Sequence, residues 1–439
     1  MSNPVTTLFR IPELKDKILF TLFLVFIYRL GAHVVAPGID VTALRDFAGQ
    51  LQGTVFGIYD MFVGGGLSRA TVFALGIMPY ISASIMFQLL AAVFPSIERM
   101  QKEGEEGRKK LTQYTRYATV GLSAAQAYGY SIFLEGIPGA VVNPGIGFKL
   151  IMILALTTGA VFVMWLGEQI TERGIGNGMS LLIFFSIIEA IPSAIVQTVE
   201  LVRVGEVTGL ALIILAAVSV ATISATIAVT MAARKIPVQI PRKVMGKGRV
   251  REGQKSFIPL RLISAGVMPI IFAQSIIVVP GTFATFADTP WLQQAAGWFQ
   301  YGTWPYYISF GLLTIFFTYF YTAIIFNPVD LAENLKKQGA FVPGVKPGAR
   351  TAEYIDRVLT RISFPGSLFL TAVAIVPQLV LDAVGVPFLG RLLGGTGLLI
   401  VVGVGLDTVQ QMQQHLLLRH YDGFMKRGRV KFRGRQRYI

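Results

Sequence analysis

Few groups in this 439-residue chain are placed to do chemistry inside an apolar environment. Arg29, Glu168, Glu189, Asp382 and Asp407 fall within or beside apolar stretches. Ionisable groups of this kind are what ion-coupled transporters are built from. All but Glu189 lie within a turn or two of the end of a stretch, where snorkelling or capping is the expected role. Glu189 stands mid-stretch, and its segment continues through Ile191 and Pro192, so a pore side or an outer vestibule both fit. One such carboxylate is thin support for ion coupling. His33, His415 and His420 lie in separate segments without metal-ligand spacing. Cysteine is absent, which excludes disulfides, thiolate metal sites and a cysteine nucleophile. No phosphate loop, nucleophile elbow or zinc-protease motif appears. The glycine-rich run from Gly174 to Gly178 lacks the spacing of a dinucleotide site and reads as a tight turn. The chain is expected to be no enzyme and to need no cofactor or metal.

The elements that must carry these residues are membrane spans. The composition is 53% hydrophobic and 14% charged, against about 25% charged in an ordinary soluble domain. Apolar residues come in blocks long enough to cross about 30 Å of hydrocarbon. Ten spans are expected, at 18–37, 70–94, 114–134, 149–168, 179–198, 209–232, 259–284, 306–327, 363–383 and 396–416. Residues 1–17 read as an amphipathic surface segment. Arg10, Glu13, Lys15, Asp16 and Lys17 precede a block that runs to Gly31 without a cleavage pattern, so no cleaved signal peptide is expected. Placing both termini inside puts 33 of the 39 Lys and Arg residues in the inside segments, a strong positive-inside bias. Two inside loops, 233–258 and 328–362, are long and basic. They supply orientation charge, or they dock an acidic or RNA-bearing partner. The basic tail 417–439 is expected to be mobile.

The second and seventh spans repeat each other. ALGIMPYISASI starts at Ala74 and SAGVMPIIFAQSI at Ser264. Pairing Gly76 with Gly266 also pairs Met78 with Met268, Pro79 with Pro269, Ile81 with Ile271 and Ala83 with Ala273, at an offset of 190 residues. The offset covers five spans, an odd number, so the copies cross in opposite directions, as in an inverted-topology repeat. Such folds build a pathway between the halves from broken helices. Prolines 79 and 269 favour the breaks. Ile81 and Ile271 are then expected to face each other at the pseudo-symmetric centre. A constriction of isoleucines blocks ions by dewetting yet admits flexible apolar cargo. Residues 57–69, ahead of the second span, read as a half-helix with a glycine hinge. Three readings follow: a protein-conducting channel, an inverted-repeat secondary transporter, and an RNA-binding membrane anchor. Paired buried carboxylates for the second and aromatic-plus-basic stacking patterns for the third are lacking.

Three motifs, GGGLSRATVFALGIMPYISASI, WLGEQITERGIGNGMSLLIF and GAFVPGVKPGARTAEYIDRVLTRI, closely resemble the bacterial SecY family of protein-translocation channels. The resemblance spans nearly the whole chain. It implies an all-α membrane protein of ten helices in two inverted halves, 18–205 and 206–416, with a half-helix plug at about 57–70. It implies a channel that passes unfolded secretory proteins across the bacterial plasma membrane and releases transmembrane segments sideways into lipid. The family's pore ring falls on Ile77, Ile81, Met179, Ile183, Ile271 and Ile400. Met179 departs from the branched aliphatic pattern, although a flexible apolar side chain still seals. The plug falls on Tyr59, Asp60, Met61, Phe62, Val63, Gly64, Gly65, Gly66, Leu67, Ser68, Arg69 and Ala70. The lateral gate falls between spans two and three and spans seven and eight, at Ser84, Gln126, Ser264 and Gln274, with Ile263 where the family often has asparagine. The resemblance also implies SecE and SecG as small membrane subunits, the SecA motor or a ribosome on the long loops, and signal-peptide-bearing preproteins as cargo. Lys243, Arg249, Lys346 and Arg350 are the expected docking residues. Lys346 replaces the usual arginine and loses its bidentate geometry.

Overall fold

A computed structural model of the chain describes residues 12–44, 55–205, 207–239, 243–245, 249–251, 255–263, 266–286, 302–384 and 395–427. The N-terminal half contains α1 (Pro12–Gly31), α2 (Val55–Val63), α3 (Met78–Val93), α4 (Pro95–Lys102), α5 (Glu105–Glu135), α6 (Ile146–Arg173) and α7 (Gly178–Val204). Then come α8 (Gly209–Met231) and the strands β1 (Ala233–Gln239), β2 (Lys243–Met245), β3 (Arg249–Arg251) and β4 (Lys255–Arg261). The chain closes with α9 (Met268–Phe286), α10 (Trp304–Ile325), α11 (Pro328–Lys337), α12 (Ala349–Val384) and α13 (Thr396–Arg427). The protein is an all-α, multi-pass membrane bundle, and each expected span coincides with a helix. Among the described residues, five helical stretches are apolar and long enough to cross a membrane unaided, and the bent pair α3–α4 is a sixth. The other helices carry polar residues or breaks, which membrane helices tolerate where protein surrounds them.

The repeat appears in the backbone. Gly76 and Gly266 adopt matching left-handed conformations, φ +52° and +59°, which end any helix arriving from upstream. Two residues later α3 and α9 begin at Met78 and Met268, each with proline second, where its missing N–H costs nothing. The second and seventh spans therefore start later than expected, at 78 rather than 70 and at 268 rather than 259. Residues 64–77 form successive turns, and 259–261 belong to β4. The α3–α4 break bends by 110°, at Phe94, whose extended backbone satisfies the restriction imposed by Pro95.

Within the first half, α1 packs on α6 and α7, α3 on α5, and α5 on α6. Within the second, α9 packs on α10, α10 on α12, and α8 on α12 and α13. Threonine rows hold these last contacts close. Thr222, Thr226 and Thr230 of α8, and Thr314, Thr318 and Thr322 of α10, are buried, and each donates its hydroxyl to the carbonyl four residues back. The hydroxyls are thereby satisfied without a partner helix, and the small side chains let helices approach. The halves meet along two seams. In one, α13 lies on α7; in the other, α9 lies on α2, α3 and α5.

The two long loops are not separate loops. β1 and β4 pair antiparallel from Ala233↔Arg261 to Gln239↔Lys255, and β2 pairs with β3. Gln239 and Phe341 exchange backbone hydrogen bonds of 2.9 and 3.0 Å. Ile236, Val238 and Leu260 of the ribbon then share a small core with Leu335, Ala340, Val342, Ile355 and Leu359. Both segments fold as one module on the second half of the bundle. Residues 1–11 and 428–439 lie outside the described residues. α1 runs unbroken from Pro12 through residue 17 to Gly31, and α13 continues as helix to Arg427, eleven residues past the expected end of the span.

Candidate pore, plug and lateral seam

Isoleucine spacing on α3 and α9 brings the repeat-matched residues to one place. Ile81 and Ile271 line a cavity of about 180 Å³, together with Met179 and Ile183 from the start of α7. Asn177 caps α7, accepting hydrogen bonds from Met179 N (3.1 Å) and Ser180 N (3.3 Å), which fixes where those side chains emerge. Tyr80, Ser84 and Gln88 form a polar border on the same cavity, with Gln88 Nε2 donating to Ser84 Oγ at 3.1 Å. Ile77 and Ile400, also expected in this ring, are buried but do not line the cavity. Ile77 is held at the turn that caps α3.

The segment ahead of α3 is a compact unit tied inward. Tyr59, Phe62, Val63, Leu67 and Ala70 are buried. The Asp60 carboxylate accepts from Leu67 N (2.8 Å) and Ser68 N (2.9 Å), closing the turn back onto α2. Gly64 and Gly65 are left-handed, φ +71° and +74°, and so is Ala70 at +46°, an unusual conformation for a residue with a Cβ. Arg69 Nε donates to Gly65 O (2.9 Å) and its Nη2 to Gly64 O (2.8 Å). Ties to the wall come from hydroxyls: Tyr130 donates to Leu67 O at 2.6 Å, and Tyr59 to Leu75 O at 2.9 Å. Ala36 N donates to Ala70 O at 2.8 Å, anchoring the exit from the unit.

The ionisable residues singled out in the sequence are partnered. Glu189 is paired with both Arg29 and Arg69, the latter at 3.2 Å. Glu168 takes a two-pronged contact from Arg116, 2.9 and 2.8 Å. Asp382 accepts from Tyr307 Oη at 3.2 Å. Asp407 borders a second cavity, of about 340 Å³, with Arg261 and Gln411. No cluster of three metal-ligating side chains occurs among the described residues.

Gln126 of α5 and Gln274 of α9, expected at the lateral gate, are buried, at 4% and 0% exposure. Gln274 Oε1 accepts from Tyr306 Oη at 3.3 Å, whereas Gln274 Nε2 and Gln126 Oε1 have no hydrogen-bond partner. Such orphaned groups cost about 1–3 kcal/mol each when buried. Ser264 lies outside the described residues. Lys243 and Arg249 sit at opposite ends of the β2–β3 pairing, opposite Arg251 and Met245. Lys346 and Arg350 are exposed, near the start of α12. Arg350 lies 3.9 Å from Glu353, and Lys346 O accepts from Thr351 Oγ1 at 2.9 Å.

The SecY family profile matches residues 71–409. The chain belongs to the SecY family. Family likeness extends over the full length. A protein translocase subunit SecY from Aquifex aeolicus is 44% identical over 434 residues, covering 97% of this chain and 100% of the relative. One from Escherichia coli is 43% identical over 430 residues, covering 96% of each. A solved structure of a protein-conducting channel is similar with a TM-score of 0.66 at 15% identity, covering 95% of this chain and 94% of that one. Sec61 in a canine ribosome–channel complex reaches 0.62 at 14% identity, with the same coverage. The SecY fold thus accounts for the inverted halves.

Sequence reasoning missed the double pairing of Glu189. Its partners are 160 and 120 positions away in the chain, and nothing local signals either. It also missed the shared module of the two loops. A signal was present in the alternation of Ile236 and Val238 with polar neighbours, the period of a half-buried strand.

Proposed function

We propose that this chain is the protein-conducting channel of a bacterial plasma membrane translocase. It passes unfolded secretory proteins outward and releases transmembrane segments sideways into lipid, with both termini on the cytoplasmic side. The observation that carries this is the cavity where Ile81, Ile271, Met179 and Ile183 converge between the two halves, next to a self-bonded segment that packs against α9. An apolar ring of this kind seals against ions while yielding to an extended polypeptide. Residues 59–70 are the plug. A solved structure of similar fold concerns a plug domain that stabilises the closed state of its channel and maintains a membrane seal. The seam between α9 and α3–α5, with its orphaned glutamines, is the lateral exit. Ile77 and Ile400 support the ring from behind. The chain itself is no enzyme; the driving energy is supplied by a partner.

The basic module formed by β1–β4, α11 and the start of α12 is the docking face, with Lys243, Arg249, Lys346 and Arg350 as contacts. Two solved structures of similar fold come from ribosome complexes, and SecA is the alternative occupant of the same face. SecE and SecG complete the complex. The test is Ile271→Ser in the purified complex in planar bilayers. Resting ion conductance rises while preprotein translocation persists. A resting conductance equal to that of the parent protein overturns the ring assignment, and absence of preprotein translocation by the parent complex overturns the channel.

A further inference from the structure

Glu189 sits on α7 between two guanidinium groups on two different elements, Arg29 at the end of α1 and Arg69 in the plug. Its side chain is 17% exposed, and those of Arg29 and Arg69 are 33% and 28% exposed. One carboxylate oxygen serves each arginine: Oε2 faces Arg29 and Oε1 faces Arg69. The glycine hinge makes the approach possible. A Cβ at position 64 would stand 2.7 Å from Glu189 Oε2, and one at position 65 would stand 2.6 Å from Arg69 Nη2. Arg69 is otherwise bonded within the plug, to the carbonyls of Gly64 and Gly65. Moving the plug away therefore breaks the Arg69 contact to the wall and leaves the contacts within the plug intact.

We propose that Glu189 is the fixed receptor of a charged plug latch, and that Arg29 is its release partner. The proposal rests on the reading of residues 59–70 as a plug. With the plug seated, the three groups carry a net charge of +1. When Arg69 leaves, Glu189 stays neutralised by Arg29. Without Arg29, opening would strand a largely buried carboxylate at membrane depth, which is strongly unfavourable. The two arginines thus act in opposite directions on one equilibrium. Arg69 holds the closed state, and Arg29 lowers the cost of the open one. Glu189 is a positioning residue with no contact to cargo.

The test compares resting opening frequency in planar bilayers, and opening stimulated by a synthetic signal peptide, for the purified complex. Arg69→Gln and Glu189→Gln each raise the resting frequency about tenfold, which corresponds to about 1.4 kcal/mol. The double variant rises no further than the larger single, because both remove the same contact. Arg29→Gln leaves resting closure tight and lowers stimulated opening about tenfold, and adding Glu189→Gln to it restores stimulated opening. Glu189→Asp falls between the parent and Glu189→Gln. If Glu189→Gln fails to accumulate, Arg69→Gln and Arg29→Gln still decide by their opposite signs. A double variant that opens about a hundredfold more often, or an Arg29→Gln channel that leaks like Glu189→Gln, overturns the latch. Ile271→Ser is measured alongside. If it leaks while the Glu189 and Arg69 variants do not, the latch fails and the channel reading stands; if it does not leak either, the ring assignment fails independently.

Discussion

The joint folding of the two long loops makes a quantitative prediction. Leu260 of β4 is fully buried in a core of eight residues drawn from both segments. Replacing a buried leucine by alanine costs about 2–5 kcal/mol. In a core this small that is a large part of what holds the module together. At the lower figure, Leu260→Ala raises the population of the opened module roughly 30-fold, taking about 1.4 kcal/mol per factor of ten. Hydrogen exchange of the detergent-solubilised complex reads this directly. The amide of Phe341 donates to Gln239 O, and the amide of Gln239 donates to Phe341 O, so each reports on the pairing from one side. Both exchange roughly 30-fold faster in the variant, although Phe341 lies 81 positions from the substitution. Amides in the middle of α8, such as that of Thr226, are unaffected. Faster exchange at Gln239 with no change at Phe341 would refute the shared core and return the two segments to independent loops.

Three further outcomes follow from the site. Tyr130→Phe removes the 2.6 Å hydroxyl contact to Leu67 O, which keeps its bond from Ala70 N, so the loss is that of one hydrogen bond, about 1 kcal/mol; resting openings in planar bilayers increase about fivefold. Gln126→Leu removes an orphaned buried oxygen of α5, so thermal stability rises by about 1 kcal/mol and, with Gln126 in the proposed lateral exit, insertion of a model transmembrane segment slows; faster insertion would contradict the seam assignment. Lys346→Glu reverses an exposed charge at the head of α12, weakening SecA-driven export several-fold while the channel protein itself still accumulates in the membrane; undiminished export would count against the docking face.

The parts of this molecule that were legible in its sequence are those governed by local pattern. Apolar block length located each span, and glycine-x-methionine-proline at two places 190 residues apart announced the inverted halves. The start of α3 and α9 at Met78 and Met268 is that motif realised in backbone: a left-handed glycine turns the chain and, two residues on, a helix begins with proline second. Boundaries failed where tertiary pairing competes with hydropathy. Pro259 and Leu260 are apolar enough to be counted into a span, yet β1 claims them as a strand. Arg29, Arg69 and Glu189 were each visible as charges out of place. That they are one group could not be read, because ion pairing has no periodicity and the three lie on different elements. Ile77 and Ile400 show the opposite limit: residue type alone does not say that both are buried outside the cavity that Ile81 and Ile271 line, Ile77 in the turn ahead of α3.

α12 is 36 residues long and begins inside the module that carries the exposed cations. At 1.5 Å per residue it measures about 54 Å, nearly twice the hydrocarbon thickness of a bilayer. Its outer third is therefore a stem that continues as helix into the bundle, where it bears on α8, α10 and α13, with Pro365 and Pro377 inside it as the places where it can bend. A partner that grips the module holds one half of the protein by this helix. Load applied there reaches the α9 seam through α10 and α13, which pack on both the stem and α9.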